Sequence, residues 1–234
     1  MTMLTKKLKI LTEHCDPSRK LRLSSLLKFL QEVSIEDTER LGYPRSTTLD
    51  RGLLWVIGKQ RVKINRLPCY DETVEILTYP GERIPFLFPR HCKIYSSSGE
   101  LLVSSSAAWT LIDEKSRLMV DPEQFGIVIE GENEGDEIGF QFPFKGFDLK
   151  KEATFAAKWR DCDLNGHMNN TAYLDEAEDL IPHSFLKEHE PSFLDVAYKK
   201  EIPLGQEIPV QYGEENLVYV FSSASFFIRL GFHE

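Results

Sequence analysis

Thiols, positive charge and long apolar runs are all in short supply in this sequence, and each shortage removes a class of function. Only four cysteines occur in 234 residues, Cys15, Cys69, Cys92 and Cys162. No two form a C-x-x-C pair, so zinc-ribbon and dithiol redox chemistry lack their ligand spacing. Scattered single thiols fit a chain that lives in a reducing compartment. No apolar run approaches the roughly 20 residues that cross a bilayer, and no stable membrane association is expected. The opening MTMLTKKLKILTEHC has neither the apolar stretch of a secretory signal nor the Ser- and Arg-rich composition of an organelle leader. A cytoplasmic protein is therefore expected. Lysine and arginine total 28 against 37 acidic residues, a net charge of −9, and the pI is near 5.3. Such a chain is not drawn to nucleic acid in bulk, and an acidic partner would need a local basic patch. Two candidate patches stand out: Lys59, Arg61, Lys63 and Arg66, and the pair Lys199 and Lys200. The plainer reading of both is a solvated strand face.

What is present reads as a globular α+β chain, 41% hydrophobic and 28% charged. Residues 4–12 suggest a strand. Leu23, Leu26, Leu27, Leu30 and Val33 then follow helical spacing, with Ser24 or Ser25 as a cap and Gly42 and Pro44 as the stop. Strands are expected at 53–65, 73–79, 90–95 and 101–112, the last two joined by Ser96-Ser97-Ser98-Gly99. One helix followed by antiparallel strands lets the sheet wrap the helix.

Residues 130–139, EGENEGDEIG, are acidic and Gly-rich and read as a linker. Beyond it the plan repeats. A strand is expected at 153–159, then a polar turn at 160–169, and then a helix capped by Asn170 or Thr171. That helix shows Tyr173, Ala177, Leu180 and Ile181 on one face and stops at Pro182. Strands at 195–202, 207–212, 217–223 and near the C-terminus follow. Cys15-Asp16 before the first helix is echoed by Cys162-Asp163 before the second. With the shared element order, this suggests duplication, with domains at 1–129 and 148–234 joined by 130–147.

The densest polar cluster is Arg160-Asp161-Cys162-Asp163-Leu164-Asn165-Gly166-His167-Met168-Asn169-Asn170. It stands between a strand and a helix N-terminus, where unpaired N–H groups could meet developing negative charge. Gly166 permits close backbone approach to a ligand. His167 and Asn165 can donate or accept hydrogen bonds, and Asp163 can orient either. The plainer reading is a polar helix cap. Three such side chains at alternate positions favour chemistry.

The run D-x-N-G-H-M-N-N resembles the signature of acyl-acyl carrier protein (acyl-ACP) thioesterases. The resemblance extends to Trp55-Val56, to Arg66-Leu67-Pro68 and Asp71 to Ile76, to Ala107 to Asp113 with Arg117 beyond, and to Tyr198-Lys199-Lys200-Glu201. It implies two tandem hotdog domains, each a long helix wrapped by an antiparallel sheet, and hydrolysis of an acyl thioester on a carrier-protein arm. By position it implies a catalytic set of Asp163, Asn165, His167 and Glu201. Plant members place a cysteine after this glutamate, where Ile202 stands here, so attack by water fits and attack by a thiol does not. Glu201 is then the expected general base, with His167 an open alternative. Trp55, Leu27, Leu30 and Gly166 are the expected substrate-binding residues, with the N-terminal helix and sheet holding the acyl tail. No metal or cofactor is called for. The expected partner is an acyl carrier protein, and a homodimer is left open. The competing readings are a hotdog acyl-CoA thioesterase, a hydroxyacyl dehydratase and a non-catalytic acyl-binding regulator.

Overall fold

The apolar stripe that begins at Leu23 becomes helix α1, Leu23–Arg40, in a computed structural model that describes residues 3–131, 146–163 and 165–234. Arg22 takes the N-cap position. Ser24 and Ser25, the expected caps, are instead buried in the first turn. At the other end Gly42 adopts φ +96°. The Gly42 and Tyr43 amides donate to the Glu39 and Thr38 carbonyls, a left-handed closure that suits a residue without Cβ. A short helix, α2, follows at Arg45–Leu49.

Among the described residues ten strands form one antiparallel sheet. They are β1 (Leu4–Lys9), β2 (Leu53–Ile64), β3 (Thr73–Pro80), β4 (Phe88–Ser96) and β5 (Leu101–Asp113). The second half supplies β6 (Lys151–Ala156), β7 (Pro191–Tyr198), β8 (Glu207–Glu215), β9 (Val218–Ser222) and β10 (Phe226–Phe232). The order across the sheet is β1-β3-β4-β5-β2-β7-β10-β9-β8-β6. Each half places its strands as first, third, fourth, fifth and second, and the two second strands meet back to back. That seam pairs Lys59 with Ala197 and runs to Lys63 with Phe193. The same strand order thus occurs in each half.

The second helix departs from expectation. It ends as α3 (Ala172–Glu178), short of Leu180, Ile181 and the expected stop at Pro182, and a further short helix, α4 (His183–Glu188), follows. Pro182 between them has no amide to donate, and Asp179 brings negative charge to the unfavourable end of α3. The strand expected at 153–159 ends at Ala156, where a short 3-10 turn starts at Trp159. The strand expected at 195–202 ends at Tyr198. Glu201 is thereby on a loop, because Lys199 and Lys200 both turn their amides to the Ser225 carbonyl. Residues 132–145 of the expected linker, and Leu164 inside the polar turn, lie outside the described residues.

The core runs across both halves. Leu23, Leu26, Leu27, Leu30 and Val33 of α1 pack with Val62, Ile64, Ile76 and Ile94, and the cluster continues to Phe155, Tyr173 and Phe226. Each such side chain contributes about 1.5–3 kcal/mol by leaving water. A second cluster, Leu53, Phe88, Leu111, Ile127 and Ile129 with Trp55 and Trp109 against it, lies toward the start of β2. Among the described residues no helix is long and apolar enough to cross a membrane.

Candidate active site

The polar turn is a tight backbone knot. The Asp163 amide donates to the His167 carbonyl at 2.9 Å, and the Gly166 amide to the Asp163 carbonyl at 3.1 Å. The Asp163 carboxylate accepts from the Asn165 amide at 2.8 Å. Gly166 sits at φ +75°, the left-handed conformation that closes the turn. The knot is then tied to the loop after β7: Met168 donates to the Ile202 carbonyl at 2.8 Å, and Leu204 to the Gly166 carbonyl at 3.0 Å. This lacing brings Glu201, far away in sequence, beside His167.

The same knot exists in the first half. Asp16 donates to the Lys20 carbonyl at 2.8 Å, Arg19 to the Asp16 carbonyl at 3.0 Å, and Leu21 to the Pro68 carbonyl at 2.8 Å. Arg19 stands at φ +64°, matching Gly166. Superposed by these bonds, Lys20 occupies the place of His167, and Leu67 that of Glu201. The Lys20 ammonium is tied to Glu190, which also accepts from the Leu67 amide at 2.6 Å. The acid–base side chains are thus confined to the second half.

There the Glu201 Oε1 lies 3.7 Å from His167 Nδ1, and its Oε2 lies 3.1 Å from the Arg117 guanidinium. His167 Nδ1 is buried and makes no hydrogen bond among the described residues. The imidazole therefore stays 3.7 Å from its carboxylate neighbour, just outside hydrogen-bond range. Tyr198 donates to the Asn170 carbonyl at 2.9 Å, and its ring meets Tyr173 edge-on. Burial raises the Tyr173 phenol, with the Glu201 charge adding to it, and burial raises Tyr198 as well. Both are neutral O–H groups at the site. The Cys162 thiol is also raised, by burial first and then by Asp161 and Asp163, so it is no thiolate nucleophile.

These groups open into a cavity of about 710 Å³, within the range of small-molecule sites. Asp163, Asn165, His167, Tyr173, Tyr198 and Glu201 all line it. Trp55, Ile57, Phe88, Trp109 and Ile129 of the first half supply apolar wall. Lys199 and Lys200 lie at the exposed rim.

The four expected catalytic residues are thus brought together, and Trp55 lines the cavity. Three expected substrate-binding residues require correction. Leu27 is buried in the α1 core, since the apolar stripe faces the sheet. Leu30 is buried there too and meets only a void of about 10 Å³ behind the cavity. Gly166 shapes the turn and is not among the lining residues. The edge that α1 shows to the cavity is Gln31, Ser34, Ile35, Thr38 and Glu39. Arg117 had no role assigned from sequence, and nothing local to it gives one, because its partner lies 84 positions away by number. Of the expected basic sets, Arg61 is tied to Asp195 and Arg66 to Glu72 and Glu100, while Lys199, which donates to the Ser223 carbonyl at 3.3 Å, and Lys200 line the cavity.

Comparison with known proteins decides the family. A family model described as Acyl-ACP thioesterase N-terminal domain matches residues 2–124, and one described as Acyl-ACP thioesterase C-terminal domain matches residues 145–223. The chain belongs to the acyl-ACP thioesterase family. Among relatives, it is 27% identical over 214 residues to a chloroplastic dodecanoyl-[acyl-carrier-protein] hydrolase of Cinnamomum camphora, covering 79% of this chain and 52% of that one. It is 26% identical over 184 residues to a chloroplastic palmitoyl-acyl carrier protein thioesterase of Cuphea hookeriana, covering 74% and 44%. The chain spans about half the length of the curated relatives it matches. Its structure resembles an acyl-ACP thioesterase from Bacteroides thetaiotaomicron with a TM-score of 0.88 at 18% identity, covering 99% of this chain and 98% of that one. It also resembles the 12:0-ACP thioesterase from Umbellularia californica, with a TM-score of 0.83 at 16% identity and coverage of 99% and 97%. The acyl-ACP thioesterase fold, a double hotdog, is shared along nearly the whole chain.

Proposed function

We propose that this family member hydrolyses the thioester between an acyl chain and the phosphopantetheine arm of an acyl carrier protein, releasing free fatty acid in fatty acid biosynthesis. One observation carries the reading: a carboxylate–imidazole pair lines the same cavity as the apolar side chains Trp55, Ile57, Phe88, Trp109 and Ile129. Apolar wall holds a tail at about 0.8 kcal/mol per methylene, and the polar pair does the chemistry.

In this reading a water molecule lies between Glu201 and the thioester carbon. Glu201 takes its proton as the oxygen attacks, and the C–S bond breaks as the carbonyl re-forms. The departing sulfur receives the proton, leaving a free thiol and a carboxylic acid. His167 and Asn165 polarise the carbonyl and position the water. Asp163 fixes the turn through its bond to the Asn165 amide. In this reading residues of the first half hold the tail and residues of the second half do the chemistry.

The test is release of free thiol from acyl-ACP and from the same acyl group on coenzyme A, measured side by side. Higher kcat/KM on the carrier is expected. Equal use of both donors would place the protein among acyl-CoA thioesterases. Acyl binding without thiol release would leave a regulator.

A further inference from the structure

The two halves of the chain match residue by residue from the knot into the helix. The bridge Cys15–Leu21 answers Cys162–Met168, and Lys20–Cys69 answers His167–Pro203. The Arg22 amide on the His14 carbonyl answers the Asn169 amide on the Asp161 carbonyl. The same spacing carries Leu26, Leu27, Leu30 and Ser34 onto Tyr173, Leu174, Ala177 and Ile181, buried in both halves. By this register Gln31 on α1 is the counterpart of Glu178 on α3.

Glu178 reaches across to the knot of the other half, where the charges of Asp16 and Arg22 act on its carboxyl. The counterparts of those two residues are Asp163 and Asn169. Both line the cavity, together with Gln31, Asn165 and His167. The relation between the halves thus sets Gln31 against the turn that carries Asp163 and His167, as Glu178 is set against the turn that lacks acid–base side chains.

Gln31 is also the uncommitted donor on its edge of α1. Ser34 Oγ donates to the Leu30 carbonyl at 2.6 Å, and Thr38 Oγ1 to the Ser34 carbonyl at 2.9 Å. Arg90, on β4, is held by Asp37 and Thr38. The half-buried Gln31 amide has no hydrogen-bond partner among the described residues, and neither of its polar atoms is sealed from solvent. A primary amide offers N–H donors without charge. Asp163 and Glu201 already bring negative charge to the site, and a carbonyl oxygen under attack gains more. A neutral N–H stabilises that oxygen and adds no further anion.

We propose that Gln31 donates its side-chain N–H to the thioester carbonyl oxygen, so that the first half supplies a catalytic residue as well as wall for the tail. The proposal rests on the thioesterase reading. As water, deprotonated by Glu201, adds to the carbonyl carbon, the C=O electron pair moves onto oxygen and the Gln31 N–H stabilises it there. When the C–S bond breaks, the pair returns to re-form the carbonyl. Gln31 neither gains nor loses a proton in the cycle.

The experiment compares wild type, Gln31→Met and Gln31→Glu on one acyl-ACP. Gln31→Met should lower kcat roughly 100-fold, the scale of one such donor, with KM within a few-fold. Gln31→Glu keeps the shape and the acceptor but loses the donor, so above neutral pH it should fall as far. Its rate relative to wild type should recover as pH falls, because a protonated carboxyl again has an O–H to donate. A folded Gln31→Met with kcat within a few-fold of wild type, or with a change in KM alone, overturns the proposal. The bond itself is read on a ketone analogue carried on phosphopantetheine, with CH2 in place of sulfur and a 13C-labelled carbonyl. Infrared difference spectra should show a lower carbonyl stretch on wild type than on Gln31→Met. Equal stretches, or no binding of the analogue by wild type, overturn the donor. Should Gln31→Met fail to fold, Gln31→Glu takes its place in both measurements. If wild type releases no thiol from any donor, the reaction assignment falls, and the ketone stretch alone decides Gln31.

Discussion

Arg117, on the hairpin that follows β5, places its guanidinium 3.1 Å from the carboxylate of Glu201 on the loop after β7. This contact joins the two halves at the site. Arg117 itself stands at φ +58°, so the hairpin turns sharply to deliver the side chain.

If Arg117 positions Glu201, its loss matters only while Glu201 is present. Arg117→Met should lower kcat roughly 10-fold with a smaller change in KM, and Arg117→Lys should restore part of it. In a Glu201→Gln background the same change should have little further effect, since contacting residues are not additive. Fully additive losses in steady-state kinetics would remove Arg117 from this role.

His167→Ala and Glu201→Gln should each cut turnover by roughly two orders of magnitude, the usual scale for an acid–base group. Both variants should keep the wild-type circular dichroism, because the Glu201 side chain is 40% exposed and that of His167 20%. Near-normal hydrolysis by either variant contradicts the assignment.

Much of this was legible in the sequence because it is local. The α1 stripe, the Gly42 stop and the five-strand run each follow from neighbours in the chain. The turn from Asp163 to His167 is readable for the same reason: its spacing is its structure. The tail pocket was misread at Leu27 and Leu30, because an apolar helical stripe says that a face is buried and not against what. In this fold it meets the sheet, and the cavity takes the edge carrying Gln31, Ser34 and Thr38. Arg117 with Glu201, and Arg90 with Asp37, were not legible, since each pair depends on which strands become neighbours.

No thiol should be needed. The position after Glu201 holds Ile202, which is fully buried and lends only its carbonyl to the turn. Burial pushes the thiols of Cys15 and Cys92 up. Replacing all four cysteines by Ala or Ser should leave hydrolysis within a few-fold. Stability should fall by about 1–3 kcal/mol through lost packing at the two buried positions. Inactivation of a chain that is still folded by circular dichroism would show the contrary.

If an acidic carrier docks at the rim, kcat/KM for acyl-ACP should fall as salt is added, because exposed attraction is screened beyond about 10 Å at 0.1 M. Lys199→Glu with Lys200→Glu should weaken both the rate and its salt dependence, and leave hydrolysis of a small thioester nearly unchanged. A salt-independent rate on the carrier would exclude docking by these lysines.

Glu178, near the end of α3, carries a prediction about pH. Burial raises its carboxyl from 4.5 to about 8, Asp175, Asp16 and Asp179 add to the rise, and Arg22 opposes it. The folded chain therefore holds this proton more tightly than the unfolded one. Its contribution is fully present below about pH 4.5, declines as pH rises, and is lost above about pH 8. Glu178→Gln keeps the shape and removes the charge. It should leave stability unchanged at low pH and raise it by about 1–3 kcal/mol at pH 9, less than the whole shift would give because the residue keeps partial contact with solvent. Denaturant unfolding at pH 5, 7 and 9 measures this. Hydrolysis should be unaffected, since Glu178 does not line the cavity. Parallel stability profiles for wild type and variant would show that the carboxyl ionises freely in the folded protein.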